Sequence, residues 1–393
     1  MTQNPNSESR IPPVRVAHVI TRLIIGGAQE NTVLTVLGLQ EDSKYLVDLV
    51  SGVEKGPEGR LDVSKVKNLI FIPGMMRNIH PFWDLLCLLR LFFLFREKKY
   101  RIVHTHSSKA GILGRLAAKL AGVPLIVHTV HGLAFHPYEQ GFKNWVYVQL
   151  EKICARFTRR VLVVSDEMRK KSLAKGIGRR EQYQTVYSGM RLDDFLRSPA
   201  LRESTRRELG IAPGHVVIGK IARFFSLKGH EYLLAIAKGL VEQNQNIRFL
   251  FVGDGIFFRP FQESMEKLGL KNFCFFTGLV PPEQIPKYVS AMDILVHVSL
   301  REGLARVLPQ AMAAGLPVVS FDIDGAKEVV EDSSNGFLIP PENTEILKER
   351  LLRLSRDADL QKTMGKKGRK KVDPVFRHEM MVETIKTLYS ELL

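Results

Sequence analysis

Cysteine is scarce in this chain of 393 residues: Cys87, Cys154 and Cys274 stand in no paired spacing and beside no cluster of metal ligands. Their rarity argues against a disulfide framework or a zinc site and points to a reducing compartment. An apolar run long enough to span a bilayer is also missing. The most apolar stretch, Pro81 to Phe95, stops short of the roughly 20 residues a span needs and contains Asp84 and Arg90. The opening MTQNPNSESRIPP lacks the apolar core of a signal peptide, so export is not indicated, and the first domain is expected to start after Pro13. Neither a G-x-G-x-x-G fingerprint nor a helix-turn-helix or zinc-finger signature occurs. A dinucleotide-dependent oxidoreductase and a dedicated nucleic-acid-binding protein are both poor fits.

What is present is an ordinary globular composition with an unusual charge. Apolar residues make up 45% and charged ones 25%, which excludes a disordered or coiled-coil chain. The length exceeds the roughly 250 to 300 residues at which single cores stop growing, so two domains are expected. The formal charge is +16, and it is unevenly spread: residues 1–200 hold 30 Lys and Arg against 17 Asp and Glu, residues 201–393 hold 27 against 24. An excess confined to one half suggests a face that meets phosphates, whether of nucleic acid, lipid headgroups or a pyrophosphate-bearing substrate. Behind Pro81–Phe95 come Arg96, Lys98, Lys99 and Arg101, an apolar helix with a cationic end. Packing against a sheet is the expected fate of most of its apolar surface, with a protruding edge free to lie in a bilayer interface.

Strand-like and helical patterns alternate throughout. Strands are expected at Val14–Ile20, Tyr45–Val53, Leu69–Ile72, Ile102–Thr105, Leu125–Thr129 and Val161–Val164, with helices between them. A second cycle follows the polar stretch around Ser198-Pro199 and Arg202–Glu208, read as an interdomain linker, with strands at Val216–Ile221, Arg248–Val252, Phe273–Phe276, Ile294–His297 and Val318–Phe321. Such alternation implies parallel sheets covered on both faces, with a ligand at the C-terminal strand ends.

Several constellations fall at those ends. Gly26-Gly27 follows the first strand and opens a helix, where amide N–H groups suit an anion or a sugar hydroxyl. Five histidines occupy the 33 residues from His104 to His136, two strand ends among them. They could serve as zinc ligands, but no carboxylate or cysteine completes a set, so hydrogen bonding to a polar substrate is the better use. His131 is the one singled out, because Gly132 behind it implies a tight exposed turn. Arg223 and Lys228 sit in the loop after a strand, where two fixed cations can neutralise a pyrophosphate without a metal. Phe251–Gly255, FVGDG, is another strand-to-glycine loop and brings Gly253 to the same edge. The richest segment runs from Ser299 to Val330. Glu302-Gly303 lies in its loop, a helix opens near Arg306, and Gln310 sits on that helix's first turns.

These ordered motifs resemble the family 4 retaining glycosyltransferases of the GT-B fold, an α/β architecture of two Rossmann-like parallel-sheet domains facing across a cleft. The resemblance covers Val14 to the last helix. It implies an N-terminal acceptor domain over 14–197, a C-terminal nucleotide-sugar domain over 198–375, and a helix in 376–393 that crosses back onto the first. It further implies that Glu302 contacts the donor sugar, that the amides of Gly303, Leu304, Ala305 and Arg306 serve sugar or phosphate, and that Arg223 and Lys228 hold the pyrophosphate. His131 would lie beside the transferred sugar, and Gly26, Gly27 and Gly253 would line the donor site. His106 and Lys109 are candidates on the acceptor side. Gln310 stands where the family's E-x7-E motif has its second Glu, facing the ribose, and that departure forfeits a charge-assisted bond of ~1 kcal/mol. Asp322 and Asp324 spell D-x-D but are read as loop caps, so no metal is expected and no other cofactor. The HTHSSKAGILGR and HTVHG runs resemble bacterial enzymes of capsule, exopolysaccharide or lipid-linked oligosaccharide synthesis. Those runs imply a saccharide or polyprenyl-pyrophosphate-linked acceptor at the cytoplasmic face of an anionic membrane, with no nucleic-acid partner, while the family at large implies a UDP-sugar donor. The rival within the fold is a sugar-nucleotide epimerase.

Overall fold

The computed structural model describes residues 12–53 and 59–393. The polar opening behind the export expectation lies mostly outside them. Seven parallel strands form the first sheet: β1 (Val14–Ile20), β2 (Tyr45–Ser51), β3 (Leu69–Phe71), β4 (Ile102–His106), β5 (Leu125–Val130), β6 (Arg160–Val163) and β7 (Tyr183–Thr185), in the order β3-β2-β1-β4-β5-β6-β7. Six form the second: β8 (Val216–Ile221), β9 (Ile247–Val252), β10 (Cys274–Phe276), β11 (Ile294–His297), β12 (Val318–Phe321) and β13 (Gly336–Ile339), in the order β10-β9-β8-β11-β12-β13. Near-continuous apolar strands such as VVSF of β12 are what a sheet buried on both faces requires.

Each sheet carries helices on both sides. In the first domain Ala17, Val19 and Val103 face the helices Pro81–Lys98 and Ser108–Leu120. The opposite set, Val16, Ile20 and Ile102, packs with Met381, Ile385 and Leu388 of the final helix, His378–Leu392, which has returned from the end of the chain. A third cluster runs through the junction, joining Val163, Val164 and Met168 to Leu304, Ala305 and Val329.

Two expectations need correcting. The segment Arg202–Glu208 is helical rather than a loose linker, and Arg202 donates to the carbonyls of Ser290 and Met292 and pairs with Asp293 at 2.5 Å. Its charges hold it against the second sheet instead of dissolving it. The helix Pro81–Lys98 buries only Cys87, Leu91 and Phe95. Phe82, Leu85, Leu89 and Phe93 stand exposed along one side, so much of its apolar surface stays outside the core.

Candidate active site

The strand order reverses between β1 and β4 in the first sheet and between β8 and β11 in the second. Loops leaving neighbouring strands part company at such points and open a crevice. Here the loops after β1, β8 and β11 face one another across an interdomain cleft of about 520 Å3.

Glycine makes the approach possible. A Cβ on Gly303 would lie 2.1 Å from the His131 carbonyl oxygen, so only glycine lets this loop close on the first domain. Gly229, at φ +70°, turns the chain into the helix His230–Gln243, and a Cβ there would strike the Val298 carbonyl at 1.8 Å. Together they bring Lys228 to Glu302, where Nζ and Oε1 are 2.6 Å apart. The Glu302 backbone N–H donates to Asp324 at 2.7 Å, and Asp324 also pairs with Lys171 of the first domain at 2.6 Å. The Asp324 side chain thus caps the loop.

The electrostatics follow from this packing. Burial alone would raise the Glu302 carboxyl, but Lys228, then His297 and Ser299, hold it down at about 2. The carboxylate is therefore ionised and accepting. Lys220, on β8, is 1% exposed, and its Nζ has no hydrogen-bond partner among the described residues. Burial and then the nearby Lys228 push it down to about 7. Burial, with Arg306 next, lowers His131 to about 3, which keeps it neutral.

Most of the sequence candidates meet here. Gly26, Gly27, His131, Arg223, Lys228, Gly253, Glu302, Gly303, Leu304, Ala305 and Arg306 all line the cleft. Lys228 faces Glu302 in this state, and Arg223 lies 5.2 Å over the Phe225 ring. Arg306 reaches across to donate to the Gly27 carbonyl at 2.8 Å and to pair with Glu30 at 2.9 Å. Three candidates lie elsewhere. Gln310 is half-buried on the helix Val307–Ala313 and does not reach the cleft wall. His106 is buried behind His131, bonded to it at 3.0 Å. Lys109 pairs with Asp84 at 2.5 Å and donates to the Asn78 carbonyl, tied to the helix Pro81–Lys98.

Sequence reasoning missed Arg22, Arg77 and His297, which also line the cleft. Arg22 could have been found, standing two residues beyond β1. His297 and Lys220 were legible as lone polar residues in apolar strands. Arg77 lies in a loop with no local signal. Beyond Glu302 a second hollow, of about 930 Å3, carries Tyr138 and Trp145, both at least half exposed, along with Asn144, Arg301 and Lys327.

Comparisons with known proteins bear on the family and the fold. Residues 30–189 match the family model described as glycosyl transferase 4-like domain, and residues 202–371 match glycosyl transferases group 1. The UDP-Gal:alpha-D-GlcNAc-diphosphoundecaprenol alpha-1,3-galactosyltransferase of Escherichia coli is 31% identical over 97% of both chains. The capsular polysaccharide biosynthesis glycosyltransferase CapM of Staphylococcus aureus is 26% identical over 81% of this chain and 84% of that one. Among solved structures, the Anabaena protein HepE in complex with UDP and glucose superposes with a TM-score of 0.83 at 21% identity, covering 96% of this chain and all of that one. Sucrose-phosphate synthase from Thermosynechococcus elongatus gives 0.81 at 20% identity, covering 96% and 99%. The chain belongs to the family 4 type glycosyltransferases and has the GT-B fold. It is a transferase enzyme.

Proposed function

We propose that this enzyme moves a hexosyl group, with retention, from a UDP-sugar to a saccharide on a polyprenyl diphosphate in cell-surface polysaccharide synthesis. The observation that carries the reading is the convergence of Arg223, Lys228, Glu302 and His131 on one cleft at both switch points. The E. coli relative, a galactosyltransferase by name, supports the donor and acceptor classes. On this reading 14–197 with 376–393, the basic half, takes the acceptor, and 198–375 takes the donor.

Each residue has a task in bond exchange. As the bond from the anomeric carbon to the phosphate oxygen breaks, positive charge grows on the sugar and negative charge on the diphosphate. Arg223 and Lys228 stabilise the latter, doing without a metal what a divalent ion would do. Glu302, ionised, accepts from sugar hydroxyls, and the incoming pyrophosphate competes with it for Lys228. The amides of residues 303–306 add donors. Among the described lining residues Glu302 is the one carboxylate, and its pairing with Lys228 makes it a poor nucleophile. The acceptor oxygen then attacks from the leaving-group face, and the departing phosphate takes its proton. Tyr138 and Trp145 offer ring faces to the acceptor saccharide in the hollow beyond Glu302.

The test is the anomeric configuration of the product from UDP-galactose, read by NMR, together with Arg223→Ala. An α-linked product and a fall in kcat of about 100-fold are expected, in EDTA as without it. An inverted product, or unchanged turnover in the variant, would sink the reading.

The exposed side of the helix Pro81–Lys98, followed by basic residues, supports peripheral attachment to an anionic membrane. Among the described residues no helix is long and apolar enough to cross one.

A further inference from the structure

Behind His131 lies a file of hydrogen-bonded side chains that no step above uses. Strand pairing begins it: His18 on β1 stands opposite His104 on β4, and His106, two residues on, shares that face. The final helix covers this face and delivers Tyr389, fully buried, into the file. His131 Nε2 lies 3.0 Å from His106 Nδ1, and His106 Nε2 lies 2.9 Å from His18 Nδ1. His18 Nε2 lies 3.2 Å from the Tyr389 hydroxyl. That hydroxyl lies 2.6 Å from His104 Nδ1, and His104 Nε2 lies 2.7 Å from Thr129 Oγ1.

All four rings are neutral, since burial lowers each of them far below its ordinary range. A neutral imidazole donates through one nitrogen and accepts through the other, so each bond in the file dictates the next. Tyr389 has one hydrogen to give. The short contact to His104 has the length of an O–H donor bond, and the longer one to His18 that of an N–H donating to oxygen. Tyr389 therefore donates to His104 Nδ1, whose Nε2–H donates to Thr129. His18 Nε2–H donates to Tyr389, His106 Nε2–H to His18 Nδ1, and His131 Nε2–H to His106 Nδ1. That order leaves His131 Nδ1 with a lone pair at the cleft. If Tyr389 turned to His18 instead, every hydrogen in the file would sit on the other nitrogen, and His131 would present an N–H. Each ring carries one hydrogen in either order, so charge is the same.

We propose that Tyr389, His18 and His106 are positioning residues that fix the tautomer of His131, so that its Nδ1 accepts a hydrogen from a hydroxyl of the transferred sugar. The final helix thereby reaches the chemistry through one buried hydroxyl. The proposal rests on the reading of His131 as a contact of the donor sugar. His18, His104 and His106 also bring three ring nitrogens within 4.8 Å, but those nitrogens already serve one another and Tyr389.

The experiment is two-bond 15N–1H correlation NMR of histidine-labelled full-length protein, paired with kinetics using UDP-galactose and an N-acetylglucosaminyl-diphospho-lipid. In the wild type His131 should carry its hydrogen on Nε2. Tyr389→Phe removes the acceptor for His18 and should turn His131 into a tautomer mixture. Its kcat should then fall at least twofold, in step with the lost Nε2–H population, and the donor KM should stay within about twofold. Thr129→Val cuts the file at its other end, should shift the same signals, and serves if Tyr389→Phe does not fold. An Nδ1–H in the wild type, unchanged His131 signals in both variants, or stoichiometric zinc in the purified protein would each overturn the proposal. His131→Gln separates the two claims. Full turnover there would remove His131 from the donor site, while the NMR would still report whether Tyr389 sets its tautomer.

Discussion

Lys220 is a buried amine with no hydrogen-bond partner among the described residues. It interrupts the apolar strand VVIGKI and sits at 1% exposure. Its depressed folded value, about 7, fixes the sign of its effect. Between that value and the ordinary one near 10.4, the unfolded chain holds a proton that the folded chain has released, so stability rises with pH across the interval and the penalty is complete below about 7. Lys220→Met should therefore stabilise the protein by roughly 1 to 3 kcal/mol at pH 6 and progressively less towards pH 10, measured by urea unfolding at each pH. A gain independent of pH would show that Lys220 is not the titrating group. A residue of this kind was open to sequence reading as an anomaly in a strand. Its neighbour Glu302 was open as part of a motif. The file from Tyr389 to His131 was not, because it joins residues from two strands, a loop and the last helix, and no local pattern encodes that meeting.

Among the elements, the strands at the sheet centres were legible because apolar runs between glycine loops leave little else to choose. The two strands missed, β7 and β13, are both at sheet edges and short. YQT of β7 has no apolar alternation, and GFLI of β13 opens on a glycine. Three or four residues are too few for a periodic pattern to show, even in β13, which is largely buried. The helix Pro81–Lys98 shows the opposite limit: its composition reads as core, yet one side is left outside. On the proposed membrane reading, the loss of apolar surface at exposed Phe82 and Phe93 should cost binding rather than folding. Each is worth roughly 1.5 to 3 kcal/mol when buried, so Phe82→Ser with Phe93→Ser should weaken binding to phosphatidylglycerol vesicles by about 100-fold or more in a sedimentation assay. Turnover on a water-soluble acceptor should be unchanged, because neither residue lines the cleft. Equal sedimentation of variant and wild type would remove this helix from the membrane reading.

At the scale of the molecule the two sheets are pinned together on both sides of the cleft. Arg306 grips Gly27 and Glu30 at one side, and Asp324 holds Lys171 at the other. Between them Glu328, from the second domain, accepts from the backbone N–H groups of Asp166 and Glu167 at 2.9 and 3.1 Å. It sits on the N-terminus of the helix Asp166–Ala174, where Ser165 accepts a third amide, so one domain caps a helix of the other. The cleft itself depends on this pinning, because Gly303 can approach His131 only while the sheets keep their spacing. Glu328→Ala leaves two amides without their carboxylate and should cost roughly 1.5 to 3 kcal/mol of interdomain coupling. The junction core would remain, so the chain should still fold, but its calorimetric transition should broaden and the van't Hoff enthalpy should fall below the calorimetric one as the domains begin to melt separately. On the proposed donor reading, UDP should bridge cations of the second domain and the loop after β1 and so draw the two transitions back together. A variant that melts as one sharp unit without nucleotide would mean that the buried cluster through Val163 and Leu304 suffices to couple the domains, and that the cap of Glu328 serves only its helix.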